Sequence, residues 1–568
     1  MKRAKVLQTR TVVMAMAAFC LASLLLASLL VTAVSAQTET PLFTYPQTSR
    51  NDTGILWPGI MIQGLDGELY GTIQTNGSNS AGTVYKMTTG GVYTQVFNFC
   101  LEGLPCATTG EIPQGGVTLG TDGNYYGTAQ SGGVYGFGTV FKLTPTGTLT
   151  TLWSFGDGHA NPPVTDEGVP NYSPLLGQDG NFYGVAPGGY SGDYGEFYKM
   201  TAKGVLTPHI FNYTDGAGPN LPTQGTDGNF YGTTQVGGDP TCRCGVAYKA
   251  TTAGKITVLH NFTGGLSDGN RPIGILVQGK DGNFYGTTYN GGSSNLGTVF
   301  KISSGKVYSI IHSFTGGATD GANPIAALTV GSDGNFYGAT PKGGSHAGGV
   351  AYQITTAGKE TILYNFCTKS GCTDGFNVDT PIIQHTNGKF YGNTTGNSLG
   401  GSVFYTLDTG LGPFVKLVLW KGKVAAKIGI LGQGFTGATS VKFNGATASF
   451  TVVSDTYITA TVPAAAKTGT VSVATTSGTL TSNQTFMVVP AIKTIAPTSG
   501  PVGTKVVVTG TGFTGATKAT VGGAVATFTL NSASQITITV PAAAKTGKIV
   551  VTTPGGAATS ATTFTLTN

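Results

Sequence analysis

Four carboxylates stand close together in two stretches of this 568-residue chain: Asp166 and Glu167 in one, Asp193 and Glu196 in the other. The same stretches, with one just before them, carry His159, Tyr135, Phe137, Tyr190 and Tyr194. Aromatic faces beside carboxylates match sugar rings, which offer apolar C–H faces and many hydroxyls. Two of these carboxylates at a fixed separation would suit glycoside hydrolysis, one as acid and the other as nucleophile or base. Nothing in the sequence sets that separation, so the hydrolytic version stands second to binding. Free variation of loops is the alternative to both.

Other chemical candidates reduce to structure. His209, His260 and His312 recur at one position of a repeat and suggest metal ligands. Phe43, Phe97, Trp153 and Tyr364 fill that position in other copies, which points to packing between units. Asp66, Asp122, Asp179, Asp227, Asp281 and Asp333 each precede a glycine, with Asn387 as the seventh. Calcium wants six to eight oxygens, and each such turn offers one carboxylate, so turn capping is expected. Gly432–Gly437 and Gly510–Gly515 both satisfy G-x-G-x-x-G, but β-rich sequence follows where a dinucleotide site needs a helix. No metal ion and no cofactor is expected.

The elements that position these residues are strands. Glycine supplies 90 residues and charged residues only 10%, while Phe and Tyr are plentiful. That excludes collagen, disorder and an all-helical protein. The hexapeptide Asp281-Gly-Asn-Phe-Tyr-Gly286 recurs with variation at positions 66, 122, 179, 227, 281, 333 and 387. Each copy reads as four short strands, A to D, with an Asp-Gly turn between A and B. Seven such units of roughly 50 residues predict a seven-bladed β-propeller. The seventh unit lacks a strand D, and residues 41–46 resemble one, so the first strand is expected to close the ring and remove two sheet edges. In such a blade the A–B and C–D turns share one face. The B–C loops and D–A linkers share the other, and nearly all departures from the repeat fall there.

Residues 413–488 and 491–566 align at a constant offset of 78, as in Gly434-Phe-Thr-Gly-Ala-Thr and Gly512-Phe-Thr-Gly-Ala-Thr. The first repeat, with its DGNFYGTT, GG, GTVFK and final Phe, resembles the GloVer tandem repeat of secreted bacterial proteins across about residues 41–409. The second resembles IPT/TIG domains on Ile495-Ala-Pro-Thr-Ser-Gly-Pro-Val-Gly-Thr504, Val-Val-Val-Thr-Gly-Thr-Gly-Phe513 and Val540-Pro. That resemblance implies two immunoglobulin-like β-sandwiches serving as spacers or surface contacts. The expected layout is a signal peptide at 1–36, a propeller at 37–411, and IPT/TIG domains at 412–489 and 490–568.

Lys2, Arg3, Lys5 and Arg10 precede an uncharged run from Thr11 that ends Val34-Ser35-Ala36. This is the pattern of a secretory signal, and the same run is long enough to remain as a membrane anchor if uncleaved. Cys100/Cys106, Cys242/Cys244 and Cys367/Cys372 form three close pairs, which suits an oxidising compartment. Local disulfides are expected for the first and third, with the tighter Cys-x-Cys left open. Residues 37–409 carry 16 Lys/Arg against 24 Asp/Glu, whereas residues 410–568 carry 11 Lys against Asp455 alone. The sequence thus predicts an exported or cell-surface protein, with the periplasm also open. Its propeller would recognise a polysaccharide or surface ligand, and no nucleic-acid partner is expected. A carbohydrate-active hydrolase or lyase and a structural envelope component are the alternatives.

Overall fold

The structure is a computed structural model that describes residues 39–45, 59–75, 80–101, 105–156, 169–188, 194–397 and 401–568. The expected signal segment lies outside the described residues. Seven antiparallel sheets follow one another, each built of strands A to D. Blade 5 is representative, with A at Val277–Gln278, B at Phe284–Gly291, C at Thr298–Ile302 and D at Tyr308–Ser313. Strand B is buried because both of its faces are covered, one by the preceding blade and one by the next. Gly282, in the A–B turn, sits at φ 81°, a conformation that only glycine takes without strain.

The recurring Phe-Tyr-Gly is explained by what each residue touches. The strand-B tyrosine stacks on the next blade's strand B: Tyr231 on Phe284 at 3.7 Å, Tyr285 on Phe336 at 4.1 Å and Tyr337 on Phe390 at 4.1 Å. Such ring pairs contribute roughly 0.5–1.5 kcal/mol each beyond the area they bury. The following glycine leaves room for an aromatic on strand C. A Cβ on Gly232 would stand 2.5 Å from the Tyr248 hydroxyl.

Closure follows the expected route. The first strand, Glu39–Thr44, pairs antiparallel with Val403–Leu407 and is strand D of blade 7. Phe43 then stacks on Tyr93 of blade 1 at 5.1 Å. The Gln63 side-chain amide of blade 1 donates to the Thr386 hydroxyl of blade 7 at 2.8 Å, and the Thr386 N–H returns a bond to Gln63 Oε1 at 3.0 Å.

Two sandwiches follow, and their strands repeat at the 78-residue offset. Lys427–Leu431 answers Lys505–Thr511, Ser440–Phe443 answers Lys518–Val521, and Tyr457–Thr461 answers Gln535–Thr539. Phe435, Ile458 and Phe486 fill the first core where Phe513, Ile536 and Phe564 fill the second. The two G-x-G-x-x-G stretches are turns: in the first, a single 3₁₀ turn, Phe435–Gly437, leads into a strand.

The first sandwich lies on the A–B turn face of the propeller. The Gln433 amide donates to the Thr386 hydroxyl at 2.8 Å, and the Thr456 hydroxyl donates to the Leu65 carbonyl at 2.8 Å. Val418 and Leu419 pack into the seam of blades 2 and 3. One mouth of the ring is therefore faced by protein, and the opposite face carries the B–C loops and D–A linkers.

Candidate functional site

Each D–A linker runs inward and delivers its last residues to the axis just before strand A. On the face away from the sandwich these residues enclose a cavity of about 230 Å³. Its wall is mostly glycine, alanine and isoleucine, including Ile273 and Ile325. The polar lining is Gln114, Asn171, Tyr172, Gln235, Asp379 and Thr380, and Asp379 is the one charged side chain among the described lining residues.

Part of this lining is held rigidly. Asn220 is fully buried beside the cavity and gives its amide hydrogens to the Thr233 hydroxyl at 2.8 Å and the Pro272 carbonyl at 2.9 Å. Its carbonyl accepts from the Tyr172 hydroxyl at 3.0 Å and the Gln235 amide at 3.3 Å. Burial pushes the Tyr172 hydroxyl up to about 12, so it stays protonated and a donor. Asp379 takes one bond from Asn377 at 2.7 Å and one from Thr395 at 3.1 Å, both on a single carboxylate oxygen. Burial raises its pKa to about 6, against the lowering effect of those two donors.

Three buried oxygens remain without a hydrogen-bond partner here: Asp379 Oδ1, Gln114 Oε1 and Asn171 Oδ1. Buried polar groups are nearly always paired, so such atoms call for a donor from elsewhere. All three belong to residues lining one cavity. The wall can therefore accept hydrogen bonds from a donor-rich ligand while its isoleucines meet apolar C–H groups.

Beyond the cavity, two cation–aromatic pairs occupy the same loop face. Arg243 lies 5.7 Å from the Tyr213 ring centre, and Arg271 lies 5.7 Å from that of Tyr289. They are the only arginines among the described residues. The sulfurs of Cys242 and Cys244, on either side of Arg243, are at bonding distance, as are those of Cys100 with Cys106 and Cys367 with Cys372. The Cys244 carbonyl accepts from the Arg271 N–H at 2.9 Å, tying the two arginine loops together.

Of the residues singled out in the sequence, the structure describes Tyr135, Phe137, Tyr194 and Glu196. Tyr135 is exposed in the B–C loop of blade 2, while Phe137 is half-buried against the seam of blades 2 and 3. Tyr194 is half-buried, its ring 5.6 Å from that of Tyr213. Glu196 is not a loop residue: it opens strand C of blade 3, pairs with Ala186 and Ile210, and is 2% exposed. His159, Asp166, Glu167, Tyr190 and Asp193 lie outside the described residues. The seven A–B turn residues are caps, as expected. In blade 5, Asp281 accepts from the Asn283 N–H at 3.1 Å and the Tyr285 hydroxyl at 2.7 Å.

Sequence reasoning missed the cavity residues, although a signal existed. Gln114, Asn171, Ile273, Ile325 and Asp379 all stand eight residues before their turn Asp or Asn. Isoleucine in blades 5 and 6 against Gln, Asn and Asp in blades 2, 3 and 7 marks a polar sector at the axis.

The profile of the Gloeobacter/Verrucomicrobia repeat matches residues 32–169 and 169–405, and that of the IPT/TIG domain matches 414–488 and 490–566. No curated protein matches the chain in sequence. Among solved structures, a fungal alcohol oxidase of the AA5 family in complex with copper is 11% identical, with a TM-score of 0.40, and the match covers 94% of this chain and 100% of that one. A surface glycan-binding protein, PbSGBP-B from Prevotella bryantii, is 19% identical over 25% of this chain and 37% of its own, with a TM-score of 0.20. SGBP-B from a xyloglucan utilization locus in Bacteroides uniformis is also 19% identical, over 27% and 48%, with a TM-score of 0.15. All three scores lie below 0.5, so the activity of none of them transfers to this chain.

Proposed function

Since the chain belongs to the Gloeobacter/Verrucomicrobia repeat family and ends in two IPT/TIG domains, we propose that it is a non-catalytic binding protein of the cell exterior. Its propeller takes a glycan at the axial cavity, and its sandwiches act as spacer and surface contact. The observation that carries this is the set of three unpartnered acceptors, Asp379 Oδ1, Gln114 Oε1 and Asn171 Oδ1, at one small cavity walled by isoleucine. Sugar hydroxyls supply the donors and sugar C–H faces suit the apolar wall. Tyr194, Tyr213 and Tyr289 extend the aromatic surface along the same face, and the loop residues Tyr135, Tyr190 and Asp193 belong to this reading as outer contacts. The three close cysteine pairs support an oxidising compartment.

Hydrolysis finds less support, because paired-carboxylate chemistry needs two acids across the bond. The described cavity lining offers Asp379 alone.

The test is affinity electrophoresis of residues 37–568 through gels holding a panel of neutral and acidic polysaccharides. At least one polymer should retard the protein, and the double variant Gln114→Ala/Asp379→Asn should migrate freely through it. Free migration of the parent protein in every gel would sink the proposal. So would equal retardation of the double variant. New reducing ends would replace binding with catalysis.

A further inference from the structure

The outer strands of neighbouring blades meet at a repeated seam. The fifth residue of one strand D faces the linker that follows it and the first residue of the next blade's strand D. At the seam of blades 4 and 5 these are His260, Asp268 and Tyr308. His260 Nε2 lies 3.1 Å from Asp268 Oδ2, and its ring stacks on Tyr308 at 3.8 Å. At the seam of blades 6 and 7 they are Tyr364, Asp374 and Glu39. The Tyr364 hydroxyl donates to Asp374 at 2.8 Å, and Lys369 pairs with Glu39 at 2.7 Å. One seam thus carries a neutral ring beside its acid, and the other balances its second acid with an ammonium.

The seam of blades 5 and 6 does neither. Here the three residues are His312, Asp320 and Glu360, and Gly316 stands where Lys369 stands one blade later. Two carboxylates and an imidazole converge with their ligand atoms within 4.8 Å of one another. His312 Nε2 is 3.5 Å from Asp320 Oδ1 and 3.4 Å from Glu360 Oε2. Those separations are too long for good hydrogen bonds. They equal the edge of a tetrahedron around a zinc-sized ion, about 3.4 Å for ligands at about 2.0–2.1 Å. His312 Nε2 and Glu360 Oε1 are both buried and have no hydrogen-bond partner.

We propose that His312, Asp320 and Glu360 bind a first-row divalent cation of the zinc type, which clamps blade 5 to blade 6. The charge fits: two carboxylates neutralise a dication, and imidazole with two carboxylates is a ligand set such ions accept. The second shell is already in place. Asp320 is oriented by the Gly321 N–H at 2.6 Å and by the Thr315 N–H and hydroxyl at 2.7 and 2.8 Å. Side-chain exposures of 18%, 8% and 11% leave an entry path while keeping the ligands dry.

The experiment uses residues 37–568 stripped with a chelator and titrated with zinc at pH 7.5 by isothermal calorimetry, with cobalt(II) absorption as a second readout. One equivalent should bind, raise the melting temperature by about 2–5 °C and give a visible cobalt band. Glu360→Gln should lower zinc affinity by at least about 100-fold, since removing even second-shell partners costs 10–100-fold. Glu360→Tyr installs the residue that the seam of blades 4 and 5 already holds, so it tests the site in a packing the repeat tolerates. His260→Ala should leave zinc binding unchanged. The proposal is overturned if the parent protein binds no zinc below about 100 µM, or if both Glu360 variants keep the parent affinity.

Discussion

The two faces of the propeller are cut from the same repeat, yet the turn aspartates of one and Asp379 on the other are held in opposite ways. At four of the turn aspartates burial alone would raise the carboxyl, but the donors around it more than offset that. Asp227 is held below the usual carboxylate range by Asn229, Lys249 and Tyr231, and Asp122, Asp179 and Asp281 follow the same pattern. On the loop face Asp268, Asp320 and Asp374 are likewise held low by their donors, but at Asp379 burial wins, and its pKa rises to about 6 with one oxygen unpaired. At its turn aspartates the repeat satisfies its own polar groups, although it leaves the strand-C hydroxyls of Tyr85, Tyr198, Tyr248, Tyr352 and Tyr405 without a partner. On the loop face Asp379 Oδ1, Gln114 Oε1 and Asn171 Oδ1 stay unpaired at one cavity, whereas the turn face gives its Leu65 carbonyl and Thr386 hydroxyl to the first sandwich.

The sharpest break of this comparison is on the turn side. Tyr285→Ala removes a ring stacked on Phe336 and the hydroxyl that bonds Asp281. It should destabilise the propeller by about 3–5 kcal/mol, read as a lower urea midpoint. Gln114→Ala on the loop face deletes an unpaired buried carbonyl and should shift stability by less than about 0.5 kcal/mol. Equal losses for the two would mean that the loop face is as internally committed as the turn face.

A smaller effect separates the faces by pH. The folded pKa of Asp379, about 6, lies above its unfolded value near 3.9. Folding therefore takes up a proton between those values, and stability falls as pH rises from about 4 through about 6. The contribution is fully present below pH 4 and lost above 6, at most about 3 kcal/mol for a shift of about two units. Asp122, Asp179, Asp227 and Asp281 on the turn face act in the opposite sense: their stabilisation is present above pH 4 and is lost on acidification. Asp379→Asn should flatten the pH 4–6 slope of the urea midpoint. An unchanged slope would show that Asp379 is as well paired as its turn-face counterparts.

How much of this was legible in the sequence follows from where the repeat is strict. The blades, the closing strand and the turn caps were readable because Asp281-Gly-Asn-Phe-Tyr-Gly286 occurs, with variation, seven times. The two sandwiches were readable for the same reason, their cores matching residue for residue at the 78-residue offset. The candidate site was not. Loops drew attention by their length and aromatics, whereas Asp379, Gln114 and Asn171 hide in linkers of ordinary length and converge only when the ring closes. Glu196 looked like a loop acid because its neighbours are loop residues, but strand C begins at it. Of the histidines in register, His260 packs at a seam against Tyr308, as the repeat suggested. Glu360, the partner that sets His312 apart, comes from the next blade, 48 residues away.

The smallest expected effect concerns the cover itself. Thr456→Val and Gln433→Ala each remove one part-buried hydrogen bond between the first sandwich and the turn face. Bonds of this kind contribute about 1 kcal/mol, so each change should loosen the contact without unfolding either domain. Amide hydrogen exchange reads this directly. A weakening of about 1 kcal/mol should speed exchange about five-fold at Gly67, whose turn meets Thr456, and at Phe414, whose N–H bonds the Thr386 carbonyl. Gly116, on the loop side and bonded to the Thr72 hydroxyl at 3.0 Å, should keep its rate. If all three amides quicken together, the sandwich steadies the whole ring rather than one face, and the turn face owes its uniformity to the repeat alone.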